Sequence, residues 1–420
     1  MLTLFNRIEL PLIPVIAELE ANGYMIDCSF FKSLKAKILG VQEELEAQIR
    51  SIAGRELNLA SAIDLGKFIY GDLGLPVGEQ TPSGKPSTSK EALELLKGRH
   101  PSIELILEHK KVSKVISTYS SFPEKVCADS RLRPTYQQLG TVTGRLTASH
   151  GIQTIPKQDI FSIRSGFIAS EGHTIVAADF DQQEMYILAG VSRDENLLQA
   201  IQEGQDLHGL AAKLVFGLDC PPNAVETLYK DLRDQVKAIQ FGLIYGSSPA
   251  SIGKTLGLKE SESDELVESY FSKFPRIRSY IDACHRSLIE HSCVTDLFGR
   301  RRVFQKSISK ADQSKAFRDS QNFPIQSAGA GITKLAMLKT HQHIKANHPS
   351  IKMILSLHDE LQFEVPKNEV VHFANKLPGL MTDLGLDTFG FHVPLKVKVR
   401  AGQDWASLGK VSSLEVGCVY

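Results

Sequence analysis

Residues 174–186 read TIVAADFDQQEMY. The run TIVAA has no polar alternation, which fits a strand buried on both faces, so Asp179 emerges where that strand leaves the core. Taken alone, Asp179 reads equally well as a helix cap, a position that favours Asp. A second carboxylate changes the balance. Residues 351–357 and 361–365 are strand-like runs flanking His358, Asp359 and Glu360, the pattern of a β-hairpin with acidic residues at its tip. Asp179 and Asp359, delivered by two separate strands, can share a hard divalent cation, because Mg²⁺ takes oxygen ligands and leaves room for substrate phosphates. Such a pair is equipment for phosphoryl transfer.

Between the two lies RDQVKAIQFGLIYG, residues 233–246. Arg233, Lys237, Phe241 and Tyr245 recur every four residues, so they form a slowly drifting stripe along one helix side. A surface helix with snorkelling cations and half-buried rings is the plain reading. Two cations followed by two rings also suit a nucleoside triphosphate, with charge for the phosphates and a ring for the base. Farther on, Arg300, Arg301, Arg302, Lys306, Lys310, Lys315 and Arg318 face only Asp312 within residues 300–318. Charge runs are usually solvated faces, but a basic run in a neutral chain suits a phosphate backbone. Asn322 and Gln326 follow four apart, placing two amides on one helical face within reach of base edges.

The rest of the chain sets the frame. At 420 residues it is long enough for several domains, and 42% hydrophobic with 23% charged residues is ordinary for a globular protein. Lys plus Arg equals Asp plus Glu at 48 each, so any basic surface is local. Six scattered Cys without a CxxC pair predict free thiols in a reducing compartment. Cys284, His285, His291 and Cys293 match no usual zinc spacing. The early apolar run at residues 10–17 contains two prolines and is far short of the ~20 residues of a membrane span. Periodicity predicts helices over 13–39 and 41–52, with Asp27 and Ser29 available as a cap, then a loop over 77–89. Helices at 90–96 and 103–119 follow, the latter carrying Lys110, Lys111 and Lys114. After residue 134 come short strands and turns, then helices from 185 to about 291.

These segments resemble the three signature motifs of the family A DNA polymerases. DFDQQEMY (179–186) is similar to the family's DYSQIELR, residues 233–246 to its R-x-x-x-K-x-x-x-F-G-x-x-Y-G helix, and His358, Asp359 and Glu360 to its HDE hairpin. TVTGRLTAS (141–149), the pattern of Ile163, Arg164 and Phe167, the pair Asp206 and His208, GRRR ending at Arg302, and the series Arg318, Asn322, Pro324 and Gln326 also match, as does ELEANGYMID (18–27). The chain departs from the family at Asp181 (Ser), Gln183 (Ile), Tyr186 (Arg) and Gln240 (Asn).

The resemblance implies an α+β right-hand fold with an antiparallel-sheet palm (1–25, 125–190 and 316–420), a helical thumb (26–124) and helical fingers (191–315). It implies template-directed extension of a primer by deoxynucleoside triphosphates. Two Mg²⁺ ions, with Mn²⁺ as a substitute, would be held by Asp179, Asp359 and the Phe180 backbone carbonyl, with Glu360 beside them. Arg233, Lys237 and His208 would hold phosphates, Lys237 acting as proton donor. Phe241, Tyr245, Glu184 and Gln182 would hold the nucleotide, Glu184 excluding ribose. Arg145, Arg318, Asn322, Gln326 and His358 would contact DNA. A match from the first residues leaves no room for a preceding proofreading exonuclease. A monomer in the cytoplasm of a bacterium or virus-infected cell is expected, an organelle remaining open, with primer-template DNA and a helicase or processivity factor as partners and no membrane. A single-subunit RNA polymerase shares several of these elements, Glu184 and Glu360 favouring DNA synthesis; a non-catalytic nucleic-acid-binding relative would have lost a metal acid, and neither is lost.

Overall fold

The computed structural model describes residues 2–81, 83–157, 161–305 and 310–411. Its centre is a five-stranded antiparallel sheet in the spatial order Gly409–Lys410, Val397–Gly402, His173–Phe180, Glu360–Pro366, Lys352–Leu357. The apolar run at residue 174 is thus the middle strand, and alternation sends its residues to two cores. Val176, Ala178 and Phe180 join Leu361, Phe363 and Val365 beneath the helices Lys310–Asn347 and Val370–Thr382. Ile175 faces the opposite core with Leu355, Leu357 and Trp405. Asp179 shares that second face, and the ladder sets it directly opposite Glu360 on one side and Lys398 on the other.

The second core also roots a pair of long helices, Cys28–Ala53 and Pro101–Tyr119. Phe31, Leu34, Val112 and Tyr119 meet near the sheet, while Ile49, Ile103 and Ile106 meet in a third core at the far end, so the pair runs antiparallel. Asp27 caps the first of them, accepting from the Ser29 and Phe30 backbone N–H groups. The periodicity reading needs two corrections here. The helix expected over 13–39 stops at Asn22, because Gly23 turns left-handed at φ 57° and Tyr24–Met25 pairs with Arg131–Leu132. The break expected near residue 40 is absent, Gly40 lying inside an unbroken helix. Residues 77–81 and 83–89 carry no helix or regular strand, as expected of that loop. No helix among the described residues is long and apolar enough to cross a membrane.

The basic run is less basic than its local composition. Arg300 is taken by Glu9, 291 residues away, and Arg302 by Asp319 at 2.5 Å. Lys306 and the Lys310 side chain lie outside the described residues. Five cysteines are free, and no group of three or more metal-ligating side chains occurs among the described residues. His285 instead bonds Gln321, and Cys293 Sγ accepts from Arg301.

Candidate active site

Two strand ends build the acidic centre. Asp179 is the penultimate residue of His173–Phe180, and the helix that follows starts only at Gln183 with no side-chain cap, so Asp179 is not a capping residue. Asp359 lies in the turn between Lys352–Leu357 and Glu360–Pro366, next to His358, which sits left-handed at φ 56°. Glu360 is therefore not at the hairpin tip but the first residue of the returning strand. The Phe180 N–H donates to the Asp359 carbonyl at 3.3 Å, holding the two acidic segments together.

The four nearby carboxylates differ in their partners. Both Glu360 oxygens are used, one accepting from Gln362 Nε2 at 2.5 Å and the other from Arg400 Nη2 at 2.8 Å. Gln362 in turn accepts from the buried Tyr24 hydroxyl at 2.9 Å. Asp181 pairs with Lys398. Asp179 and Asp359 have no ion pair among the described residues. Burial, then the charges of Asp359 and Glu360, push the Asp179 carboxyl up to about 7. Burial likewise raises Asp359. Two desolvated carboxylates that resist ionising side by side are what a hard divalent cation relieves, so the donor set fits such an ion.

Beside this centre opens a cleft of about 300 Å³ lined by Arg145, Gln182, Glu184, Phe241, Tyr245, His358 and Asp359 among others. Glu184 follows Asp179 by five residues and stands in the first turn of Gln183–Ser192. One of its oxygens accepts from Arg145 at 2.7 Å, the other from the Tyr245 hydroxyl at 2.9 Å. A side chain serving only the helix dipole would not be pinned at both oxygens. The stripe helix is Lys230–Ile244; Phe241 and Tyr245 stack with ring centroids 6.2 Å apart. Lys237 is exposed. Arg233 is oriented by Asp206, its Nε donating at 2.6 Å and Nη2 at 3.2 Å.

His208 lies inside the fold. It is 2% exposed, and its Nδ1 lies 2.5 Å from Gln240 Oε1. Burial lowers its pKa. Gln240, one of the departures from the family pattern, is thereby the residue that holds His208.

The long helix Lys310–Asn347 runs through Pro324 and presents Arg318, Asn322 and Gln326 at four-residue spacing. Arg318 is exposed, and Asn322 Oδ1 is shielded from solvent without a partner among the described residues. Gln326 lies close enough to the Tyr245 hydroxyl to lower its pKa, although burial and Glu184 raise it overall. Gly246 ends the stripe at φ 73°, where an added Cβ would lie 2.8 Å from the Arg318 Cα. Gly246→Ala is expected to cost roughly 1–3 kcal/mol from the left-handed backbone alone, more with the backbone clash. Urea unfolding checks this, and a variant as stable as the parent would show that the two helices separate freely there.

Arg400, Lys398 and Gln362 were missed at the level of sequence. The alternation Lys396-Val-Lys398-Val-Arg400 was the available signal, a strand with cations on one face.

The model of DNA polymerase family A matches residues 28–407. The chain is 35% identical to the thermostable DNA polymerase I of Thermus filiformis over 96% of its own length and 48% of that protein's. It is 32% identical to the DNA polymerase I of Helicobacter pylori over 97% of its length and 44% of that protein's. It thus spans about half the length of these curated relatives. Among solved structures it is similar to the POL domain of Pol1 from M. smegmatis in complex with DNA primer-template and dNTP, with TM-score 0.88 and 29% identity over 96% of this chain and 71% of that one. That likeness extends to the right-hand arrangement of palm, fingers and thumb.

Proposed function

The chain belongs to DNA polymerase family A, and on that premise we propose that it extends a primer 3′ end with deoxynucleoside triphosphates on a DNA template. The observation that carries this reading is the pair Asp179 and Asp359, carboxylates without an ion pair among the described residues, set beside a cleft whose other wall holds Phe241 and Tyr245. In the proposed layout the palm comprises 1–25, 125–190 and 316–420, the thumb 26–124 and the fingers 191–315.

Asp179, Asp359 and the Phe180 carbonyl would hold divalent cations, Mg²⁺ by preference for oxygen ligands. Bound there, such ions supply Lewis-acid activation of the primer hydroxyl and brace the triphosphate. Glu360, saturated by Gln362 and Arg400, tunes charge beside the ligands. Lys237 meets the β and γ phosphates and gives a proton to the leaving pyrophosphate. Arg233, fixed by Asp206, keeps Nη1 for the same phosphates. Phe241 packs on the base, with Gln182 at the turn below it.

Arg145, Arg318, Asn322, Gln326 and His358 line the path of the new duplex. Amides and guanidinium groups suit a minor groove whose acceptors occupy nearly the same places in every base pair. Exposed Lys111 and Lys114 supply sequence-independent backbone contacts.

Glu184 closes the floor beneath the incoming sugar. Held by Arg145 and Tyr245, it cannot move aside for a 2′-hydroxyl without breaking a hydrogen bond. Glu184→Ala is expected to raise ribonucleotide over deoxyribonucleotide incorporation by about tenfold or more, roughly 1.4 kcal/mol. Single-nucleotide kinetics with matched substrates measure the ratio, and an unchanged ratio removes Glu184 from the sugar site. For the function itself, primer extension on a DNA template with Mg²⁺ is the deciding assay. Extension with ribonucleotides alone would favour the RNA polymerase reading, and duplex binding without any extension would favour the non-catalytic one.

A further inference from the structure

The strand Val397–Gly402 borders the acidic centre and carries two cations on the face it shares with Asp179. Each takes a carboxylate that flanks Asp179. Arg400 Nη2 bonds Glu360 at 2.8 Å, and Lys398 Nζ bonds Asp181 at 2.8 Å. Lys398 is also the direct cross-strand neighbour of Asp179. Opposed residues of an antiparallel pair have Cβ atoms only about 4.5–5.5 Å apart, and a lysine ammonium moves on a flexible four-carbon stem. Lys398 can therefore reach two carboxylates, and the structure shows it on Asp181. The Asp181 backbone helps to fix that choice, since its N–H donates to the Lys396 carbonyl at 2.8 Å. This turn holds the Asp181 carboxylate over Val397–Gly402, where its Oδ1 accepts from Lys398 Nζ.

We infer that Asp181 is a positioning residue that draws the Lys398 ammonium away from Asp179 and so keeps Asp179 open to a divalent cation. The inference rests on the metal-dependent reaction proposed above. It accounts for two features at once: an acid where the family pattern has Ser, and a lysine opposite a carboxylate expected to bind a cation. The ladder thereby sorts four carboxylates into two that are neutralised and two that are not. Without Asp181, the ammonium would turn to Asp179 and compete with the ion for the same oxygens.

The test measures Mn²⁺ binding to the intact protein by the loss of the free-ion paramagnetic resonance signal, without DNA or nucleotide, so the readout does not depend on turnover. Asp181→Ser is expected to weaken Mn²⁺ binding about tenfold, the scale on which groups behind a ligand act. Adding Lys398→Ala to that variant is expected to restore it, and Lys398→Ala alone to bind at least as tightly as the parent. The Mg²⁺ concentration giving half-maximal extension should follow the same order. A merely structural role for Asp181 would not be rescued by a second loss on the same ladder. Parental affinity in Asp181→Ser, or no rescue in the double variant, overturns the inference while leaving an extending enzyme intact. A parent that neither extends primers nor loses Mn²⁺ binding on Asp179→Asn would sink the polymerase reading, and this inference with it.

Discussion

Asp179→Asn and Asp359→Asn are each expected to lower primer extension by at least about a thousandfold, roughly 4 kcal/mol of transition-state stabilisation, while leaving duplex affinity largely in place. Neither carboxylate has an ion pair among the described residues, and burial raises the pKa of both. An amide at either position removes charge from a place where charge is already costly, so the fold loses nothing and can gain slightly. What goes is affinity for the cation, and with it the stabilisation of developing charge. On the proposed reading the duplex would be gripped elsewhere, by exposed cations of the paired long helices and by Arg318, Asn322 and Gln326. Glu360→Gln should fall between these variants and the parent, about tenfold down, because it frees Arg400 beside Asp179 without removing a ligand. Steady-state extension in Mg²⁺ and equilibrium binding of a primer-template separate the two effects. Near-normal turnover in either Asp variant would end the two-carboxylate assignment.

The acidic centre was legible because its signal is local. An apolar run that ends in Asp179, and two such runs around Asp359, each report that a strand leaves the core at a carboxylate. The stripe from Arg233 to Tyr245 was legible for the same reason, since helical spacing is a property of neighbouring residues. What failed to read was pairing across long separations. Arg300 looked like one of seven uncompensated cations, yet its partner is Glu9. His208 carried no sign of burial, yet Gln240, 32 residues on and on another helix, holds its ring inside the fold. Gly23 was hidden inside a helical pattern, and only the pairing of Tyr24–Met25 with Arg131–Leu132 shows why the chain must turn there. Helix 28–53 erred the other way: Gly40 costs only about 1 kcal/mol inside a helix, and packing on Pro101–Tyr119 outweighs that.

Glu9→Gln is expected to destabilise the fold by about 3–5 kcal/mol, the cost of leaving a buried charge without its partner. Lys334, its side chain 1% exposed, donates to both Glu9 oxygens at 3.0 and 2.9 Å and to the Gln138 carbonyl at 3.1 Å. Arg300 and the Gln138 amide bond the same carboxylate. One anion therefore satisfies two cations in the interior, joining the first helical segment to Lys310–Asn347 and to the hairpin of residues 293–303. Burial raises the Glu9 carboxyl, but the charge of Lys334 and the hydrogen bonds of Gln138, Lys334 and Arg300 more than reverse this, and its pKa lies below the ordinary value. A carboxyl depressed in the folded state stabilises at neutral pH. That contribution fades as pH falls from the unfolded value of about 4.3 through the folded one. Lys334, lowered by burial despite Glu9, shows the opposing cost of keeping an ammonium inside. Lys334→Met in the Glu9→Gln background is accordingly expected to recover a large part of the loss, since replacing a buried pair by apolar groups is often close to neutral. Activity should fall along with stability, because the Arg300 guanidinium lies against Gly144, next to the Arg145 that holds Glu184 over the cleft. Denaturant unfolding at pH 7 and pH 4 measures both parts. A Glu9→Gln variant within about 1 kcal/mol of the parent at pH 7 would mean that water reaches Lys334, and the carboxylate would then be a surface contact instead of the joint between these segments.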